Sequence, residues 1–248
     1  MIDILLVPIG LVMMLVVIHA WFGIGIINRG IIFTDLAIAQ FAALGSAISL
    51  GYFHEEYYYL WTFSFALLSA FLIAYASQRK VHLEAFIGLL YVIGASGIMM
   101  VLAHSAEGME HFKSLLASDI LFTDESQLLE AALIYTGIGL FIWKLYPKVT
   151  GFSKDLLFFS LLALTVTSSV QLAGVLVVFS LLIAPALIAT AQKRFSPILT
   201  ATLFGWSVTT VTIIFAFFLD LPTGYSIVFV LALVTLTLLL LTAPKKID

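Results

Sequence analysis

Cysteine is absent from this chain of 248 residues, and charged residues are scarce. Without cysteine there is no disulfide, no thiolate metal ligand and no cysteine nucleophile. Charged side chains make up 10% of the sequence and hydrophobic ones 62%. A soluble domain is nearer about a quarter charged and roughly half apolar. The composition therefore predicts an integral membrane protein.

Further absences exclude classes of function. No basic run exceeds two residues and the net charge is −3, which argues against nucleic-acid binding. The sequence contains no G-x-S-x-G, no H-E-x-x-H and no glycine-rich phosphate loop. We therefore expect the chain not to be an enzyme, and ATP-driven transport would need a separate ATP-binding subunit. No Lys or Arg precedes Arg29, so the first apolar run is expected to be retained as a span.

What the chain does contain is a series of hydrophobic runs separated by short charged or turn-rich breaks. They predict an all-α fold, a polytopic membrane helix bundle with about nine transmembrane helices, eight being the other count considered. We expect a single transmembrane domain over residues 1–248. The predicted spans are 4–27, 31–52, 57–77, 84–104, 128–146, 155–169, 171–191, 196–219 and 224–243.

Cationic residues are concentrated in alternate breaks between these spans, and the other breaks contain only Lys113. The positive-inside rule predicts that the former breaks are cytoplasmic. Their cationic residues are Arg29, Arg79, Lys80, Lys144, Lys148, Lys154, Lys193, Arg194, Lys245 and Lys246. Nine crossings then place the N-terminus outside and the C-terminus in the cytoplasm. Lys154 and Lys193 flank residues 155–191 and must both be cytoplasmic, so this region must cross the membrane twice. Two crossings predict a tight turn near Ser169.

The run 170–191 combines a glycine and a proline within an apolar segment. Gly174 would let a neighbouring backbone approach closely, and Pro185 would free a carbonyl and bend the helix axis. We expect this helix to shape and bend a pathway and not to bind cargo, although Gln171 lies near its outer end. Serine and threonine within the spans are expected to serve packing, and Tyr58 with its aromatic neighbours to form an interfacial belt.

Polar groups inside spans are the candidates for a transport pathway. Asp35 lies near the start of the second span, and an ionisable residue inside a membrane is costly and usually faces a cavity or a partner. The alternative is that Asp35 helps to start its helix or pairs with Arg29. Gln40 and His19 could line the same pathway. An intrahelical contact would equally account for Gln40, and a hydrogen bond to a carbonyl for His19.

A second candidate site lies at the predicted external rim. It consists of His54, Glu55, Glu56, His104, Glu107 and His111. The last three are spaced by three and four residues, which would place them on one face of a continued helix. Imidazole and carboxylate suit a divalent metal such as zinc or manganese. The alternative is an ordinary acidic loop.

Several segments resemble the zinc/manganese permeases of ABC importers. The sequence GVLVVFSLLIAPALIATA at 174–191 is similar to the signature span of that family, and IIFTDLAIAQFAALG at 31–45 to its F-x-D-A-x-S-H-A element. The sequence DLPTG at 220–224 is similar to the family's D-x-P-T-G entrance to the last span, where Pro222 and Gly224 would be packing or hinge positions.

The resemblance implies a multi-pass permease of the bacterial inner (plasma) membrane that carries a divalent metal ion, zinc or manganese, and has no permanently bound cofactor. A cytoplasmic ATP-binding subunit would drive transport, an extracytoplasmic metal-binding protein would deliver the ion, and two copies surrounded by membrane lipid would form the pathway as a homodimer. The alternatives are an ATP-independent cation transporter or channel, and a membrane assembly subunit that transports nothing.

The chain departs from the family pattern at two places. Many members have a histidine four residues after the aspartate of the second span, whereas this chain has Ala39 there and Gln40 one position further. The cytoplasmic loop at 146–155 is short and lacks the D-x-E-x-A element that the resemblance associates with docking on the ATPase. Both the identity of the ion and the coupling to an ATPase therefore stay open.

Overall fold

The computed structural model of the chain describes residues 2–103, 120–192 and 194–242. Within these residues it contains nine α-helices and no β-strand, which confirms the all-α prediction. The helices are α1 (Ile2–Arg29), α2 (Thr34–Phe53), α3 (Tyr58–Ser77), α4 (Leu83–Leu102), α5 (Glu125–Lys144), α6 (Gly151–Ala173), α7 (Val175–Ala191), α8 (Pro197–Phe218) and α9 (Thr223–Thr242). Short 3-10 turns, Ile120–Phe122 and Tyr146–Lys148, precede α5 and α6.

Eight of the helices in the described ranges are long and apolar enough to cross a membrane. The remaining helix, α7, has 17 residues. Such a helix rises about 26 Å, slightly less than a hydrocarbon core of about 30 Å. The chain is therefore an integral multi-pass membrane protein, and the predicted count of eight to nine spans is confirmed. The predicted sides of its two termini stay predictions.

The break between α6 and α7 lies at Gly174, so the predicted turn near Ser169 is wrong. Ser169 lies inside α6, where its hydroxyl donates to the carbonyl of Thr165 at 2.6 Å. A helix accommodates serine in this way because the hydroxyl is satisfied by the preceding turn. Gly174 has a φ of +81°, a conformation that favours glycine. The full-length crossing is α6, with 23 residues, and Gly174 separates two helices instead of lying inside one.

The described helices fall into two compact units, and the first contains α1, α8, α9 and α7 from Leu176 onward. Ala20 of α1, Ala189 of α7 and Ala201 of α8 form one buried cluster. Small side chains at these positions let the three helices pack closely, as is common in membranes. The prediction of a single domain over residues 1–248 stays a prediction.

Pro185 lies in the interior of α7 within this first unit. A β-carbon added to Gly205 of α8 would come within 2.6 Å of Val16 and 3.4 Å of Pro185. Gly205 therefore leaves the space that the proline ring and the valine occupy. The hinge role of Pro185 stays a prediction, and its ring packs at a junction of α1, α7 and α8.

The centre of the second unit is α2, which contacts α3, α4 and α6. Glycines permit these close crossings. A β-carbon on Gly45 would overlap the backbone carbonyl of Trp61 on α3, and one on Gly94 of α4 would lie 2.8 Å from the β-carbon of Gln40. The two crossings fix α2 between α3 and α4, and they fix the positions of its polar residues as well.

Replacing Gly45 with alanine is expected to lower the midpoint of thermal unfolding of the detergent-solubilised protein. The new methyl group would collide with the backbone of Trp61, which cannot move aside like a flexible side chain, and such overpacking costs about 1–3 kcal/mol. Gly88→Ala on α4 is the matched control, because a β-carbon there meets no described atom within 4 Å. An equal midpoint of thermal unfolding in the two variants would contradict the close crossing of α2 and α3.

Candidate functional site

Asp35 is a buried carboxylate in the first turn of α2. Only 1% of its surface is exposed, and its Oδ1 atom has no hydrogen-bond partner among the residues that the structure describes. The neighbouring Thr34 donates its hydroxyl to the carbonyl of Ile31 at 2.7 Å and so closes the preceding turn. A buried carboxylate oxygen without a partner is costly, and such a residue in a membrane helix usually faces a pathway. The pathway role of Asp35 stays a prediction that this observation favours.

The face of α2 that carries Asp35 continues as small residues. Ala39, Ala42 and Ser46 follow at intervals of four, three and four residues, which keeps all four positions on one side of the helix. Gln40 lies next to Ala39 and is 7% exposed. Small side chains and the amide of Gln40 therefore lie between the carboxylate of Asp35 and the far end of α2.

A cavity opens between α2, α3 and α6, entirely within the second unit. It is small, with about 30 Å³ of space for water-sized guests, and is partly open. Its polar lining consists of Gln40, Ser46, Tyr58, Thr62, Thr167 and Gln171. Alanine and valine side chains, Ala39 among them, form the rest of the wall, and in the part of the chain that the structure describes no charged residue lines the cavity. The cavity adjoins the Asp35 face of α2.

Two polar atoms of α6 in the cavity wall have no hydrogen-bond partner within the described ranges. They are Oγ1 of Thr167, a residue that is 2% exposed, and Nε2 of Gln171, one helical turn further on. On α3, Thr62 donates its hydroxyl to the carbonyl of Tyr58 at 2.8 Å, which leaves the lone pairs of that hydroxyl as acceptors. The polar groups of the wall are thus neutral, and most of the surface that faces the cavity is apolar.

Of the polar side chains in this wall, only Gln40 is predicted from the sequence to line a pathway. Tyr58, Thr62 and Thr167 are expected to serve packing or the aromatic belt, and Gln171 to carry no ligand role. The spacing of these residues along the sequence is the signal that could identify them as neighbours in the wall. Tyr58 and Thr62 are four residues apart, as are Thr167 and Gln171, so each pair shares a helix face.

The connection between α2 and α3 contains the described part of the predicted rim site. His54, Glu55 and Glu56 are exposed there. The φ angles of His54 and Glu55 are +51° and +69°, a left-handed conformation that is uncommon outside glycine. Ser49 donates its hydroxyl to the carbonyl of Glu56 at 2.9 Å and so ties the loop to the end of α2. The loop therefore places two carboxylates where α2 ends and α3 begins.

The other half of the rim site, His104, Glu107 and His111, lies outside the described residues. Among the residues that are described, no group of three or more His, Asp or Glu side chains is arranged to hold a metal ion. Metal binding at the rim stays a prediction.

His19 lies in α1, in the first unit, whereas Asp35 and Gln40 lie in the second. It is fully buried, and its Nδ1 atom is 2.8 Å from the carbonyl oxygen of Leu15 in the same helix. A hydrogen bond to a carbonyl is the alternative to a pathway role that the sequence analysis gives for His19. The pathway role of His19 stays a prediction.

Pro222 and Gly224 lie where α8 leads into α9. Pro222 directly precedes α9, and its carbonyl accepts a hydrogen bond from the N–H of Ser226 at 3.0 Å. Proline suits the start of a helix because it has no N–H to leave unpaired. Gly224 follows in the first turn of α9. The predicted role of both residues as hinge or packing positions stays a prediction.

Comparisons with known proteins place this fold among transporters. A family model described as the ABC 3 transport family matches residues 1–242. A Thermotoga maritima protein described as a "Probable metal transport system membrane protein" is 27% identical, and the match covers 78% of this chain and 73% of that protein.

Two solved structures share the fold. PsaBC from Streptococcus pneumoniae in complex with Fab matches with a TM-score of 0.75 at 20% identity, over 97% of this chain and 91% of that chain. A chain assigned to the metal-chelate type of ABC transporter, in an inward-facing conformation, matches with a TM-score of 0.66 at 16% identity, over 92% of this chain and 82% of that one. At these identities the likeness shows the fold alone.

Proposed function

This chain belongs to the ABC 3 transport family, and from that premise we propose that it is the membrane-spanning permease subunit of an ABC importer for divalent metal ions of the zinc or manganese class. The metal ion is the substrate and not a resident cofactor. The description of the Thermotoga maritima relative as a metal transport membrane protein supports this choice of cargo.

The observation that carries the proposal is the buried carboxylate of Asp35. Its Oδ1 atom lacks a partner in the described residues, and it lies on a helix face that continues along a cavity. A carboxylate with one unpartnered oxygen in a low-dielectric region attracts a cation more strongly than a carboxylate in water does. Asp35 would bind the ion on its way through, and the neutral side chains along α2 would let it pass.

The partners follow from what a permease of this kind must obtain from elsewhere. The sequence has no glycine-rich phosphate loop, so a cytoplasmic ATP-binding subunit would hydrolyse ATP. An extracytoplasmic metal-binding protein would bring the ion to the rim at Glu55 and Glu56, and two copies of the chain would complete the pathway as a homodimer. In this proposal the chain has no catalytic residue of its own.

The connection between α5 and α6 is predicted to be cytoplasmic, but it lacks the D-x-E-x-A element that the resemblance associates with docking on the ATPase. It is six residues long, 145–150, and contains the 3-10 turn Tyr146–Lys148. Asp155, in the second turn of α6, accepts a hydrogen bond from Gln78 at the end of α3 at 2.7 Å. This bond joins the start of α6 to the end of α3, so a partner that moved the start of α6 would act on both helices.

The test is affinity isolation of the full chain from native membranes under mild solubilisation, followed by identification of the proteins that accompany it. We expect an ATP-binding subunit, and we expect the isolated complex to hydrolyse ATP faster when zinc or manganese is added in liposomes. An unrelated polytopic protein with the same tag is the control. Isolation without any ATP-binding subunit would count heavily against the proposal.

The shortness of the 145–150 connection favours one alternative, a cation transporter or channel that works without ATP. That alternative predicts uptake by the chain alone, driven by a metal gradient and unchanged by ATP. A membrane assembly subunit, the third reading, predicts partner capture with no metal flux at all. The isolation experiment, followed by flux measurements on the same preparation, separates the three.

A further inference from the structure

We propose that the place where the end of α3 meets the start of α6 is a binding site for an anionic phospholipid. This place, the α3–α6 junction, consists of Phe71, Tyr75, Arg79, Phe152 and Lys154. Its two cations would bind the phosphate of the headgroup, and the acyl chains would lie along α3. Lipid binding here goes beyond the proposed function and does not depend on which ion is transported.

Hydrogen bonds between α3 and α6 hold the two cations of the junction near each other. The side-chain amide of Gln78 donates to Oδ2 of Asp155 at 2.7 Å, and the hydroxyl of Ser77 donates to the same oxygen at 3.3 Å. Arg79 directly follows Gln78, and Lys154 directly precedes Asp155. All of these residues lie in the second unit. The two cations therefore start from neighbouring backbone positions, one on each side of the junction.

Cation–π contacts position both cationic side chains without neutralising them. The guanidinium carbon of Arg79 lies 4.7 Å from the centre of the Tyr75 ring, and the guanidinium also donates to the Tyr75 hydroxyl. The Nζ atom of Lys154 lies 5.0 Å from the centre of the Tyr146 ring. An aromatic ring attracts a cation through its quadrupole and carries no net charge. Both cations therefore keep their full charge for an anion.

One face of α3 leads from the junction into the membrane-spanning part of the helix. Leu67, Phe71 and Tyr75 follow one another at four-residue intervals, which keeps them on this face, and they are 39%, 46% and 48% exposed. The ring of Phe152 on α6 meets the Phe71 ring edge-on, with 6.4 Å between the ring centres. Over about 12 Å of helix the face changes from aliphatic to aromatic and ends at a cation. An acyl chain, a glycerol region and a phosphate follow one another in the same order in a phospholipid.

The charge around the junction favours an anionic lipid. Lys80 and Lys148, in the connections that adjoin the junction, add two further cations, whereas the carboxylate of Asp155 already accepts two hydrogen bonds from the end of α3. These connections are predicted to be cytoplasmic, and the cytoplasmic leaflet carries the anionic lipids that attract basic segments. An acidic protein surface would also suit the cations, but it would not cover the apolar face of α3, which is a membrane-spanning helix. A lipid therefore fits the junction better than a protein does.

The test titrates phosphatidylglycerol onto the full chain in a neutral detergent and measures the first bound lipid by native mass spectrometry. Arg79→Gln and Lys154→Gln are each expected to raise the dissociation constant about fivefold, and the double variant about thirtyfold, the contribution of one and of two cations near a membrane surface. Phosphatidylcholine, which has the phosphate but no net charge, is expected to bind weakly and equally to all variants. Arg79→Lys keeps the charge and is expected to keep most of the affinity.

Arg194→Gln is the matched control, because it removes the same charge from a cation beside an aromatic ring elsewhere in the chain. The guanidinium carbon of Arg194 lies 5.5 Å from the centre of the Phe195 ring, in the turn between α7 and α8 of the first unit. Its loss is expected to leave the dissociation constant unchanged. Glycerol 3-phosphate, which has the charged group without acyl chains, is expected not to displace the lipid at an equal concentration. The midpoint of thermal unfolding without added lipid checks that every variant is folded.

Unchanged binding of phosphatidylglycerol by the double variant, or an equal effect of Arg194→Gln, would overturn the proposal. Displacement by glycerol 3-phosphate would show a site for anions and not for lipids. Loss of the ATP-binding subunit from the double variant, with phosphatidylglycerol binding unchanged, would identify the junction as a protein contact instead. Because the titration needs neither metal nor ATP, its result is separate from the success or failure of the proposed function.

Discussion

Replacing Asp35 with alanine is expected to reduce metal uptake by about tenfold to a hundredfold. The variant removes the buried carboxyl group whose Oδ1 atom lacks a partner within the described residues. Charge-assisted contacts are worth about 1.5–3 kcal/mol, and each 1.4 kcal/mol corresponds to roughly a factor of ten. Asp35→Asn keeps the shape of the side chain and is expected to show most of the same loss, because the charge and not the volume binds the ion. Uptake into liposomes under ATP is the measurement.

Glu130→Gln is the matched control for this experiment, because Glu130 is an exposed carboxylate on α5. Its loss of charge is expected to leave uptake unchanged. Partner capture must persist in all three variants, so that a lost flux reports on the pathway and not on assembly. Should Asp35→Ala transport metal at the unmodified rate while it still captures its partners, Asp35 is not a cargo-binding residue and the assembly-subunit reading gains.

The second large effect is expected from Gly23 of α1. A β-carbon at this position would overlap the backbone carbonyl of Leu182 on α7 and lie 3.0 Å from the β-carbon of Ala186. The crossing of α1 and α7 therefore depends on the absence of a side chain. Gly23→Ala is expected to cost about 1–3 kcal/mol or more of stability, with a lower yield of folded protein and a lower midpoint of thermal unfolding.

Gly10→Ala is the control on the same helix. Its β-carbon would meet only side-chain atoms of Leu128, at the ordinary contact distance of 3.7 Å. The midpoint of this variant is expected to match that of the unmodified protein, since alanine also favours the helix more than glycine does. Equal midpoints for the Gly10 and Gly23 variants would contradict the packing of α1 against α7.

Much of the fold is predictable from the sequence because the lipid bilayer restricts which structures can cross it. A membrane requires long apolar helices, and these appear as runs that charged or turn-forming residues interrupt. The predicted span 57–77 accordingly differs from the helix Tyr58–Ser77 by one residue. The predicted turn near Ser169 is wrong because the hydroxyl of a serine in a membrane helix can donate its hydrogen bond to a carbonyl of the preceding turn. The glycine five residues later was the better signal for a break.

The candidate site is predictable only in part. Asp35 stands out because charge is rare inside a span, and Gln40 because it shares that helix. Thr167 and Thr165, by contrast, look alike in the sequence, and both are buried. The first has an unpartnered hydroxyl within the described residues and lines the cavity, while the second donates to its own helix. Only the packing of α6 against α2 and α3 distinguishes them.

The most direct test of the permease assignment is metal uptake by liposomes that contain the chain with its captured ATP-binding subunit, with the metal-binding protein outside and ATP inside. We predict manganese or zinc uptake that requires ATP, stops when ATP is replaced by a non-hydrolysable analogue, and is lost in Asp35→Ala. No ATP-dependent uptake of either ion, or the same uptake by the chain alone without ATP, would contradict the assignment.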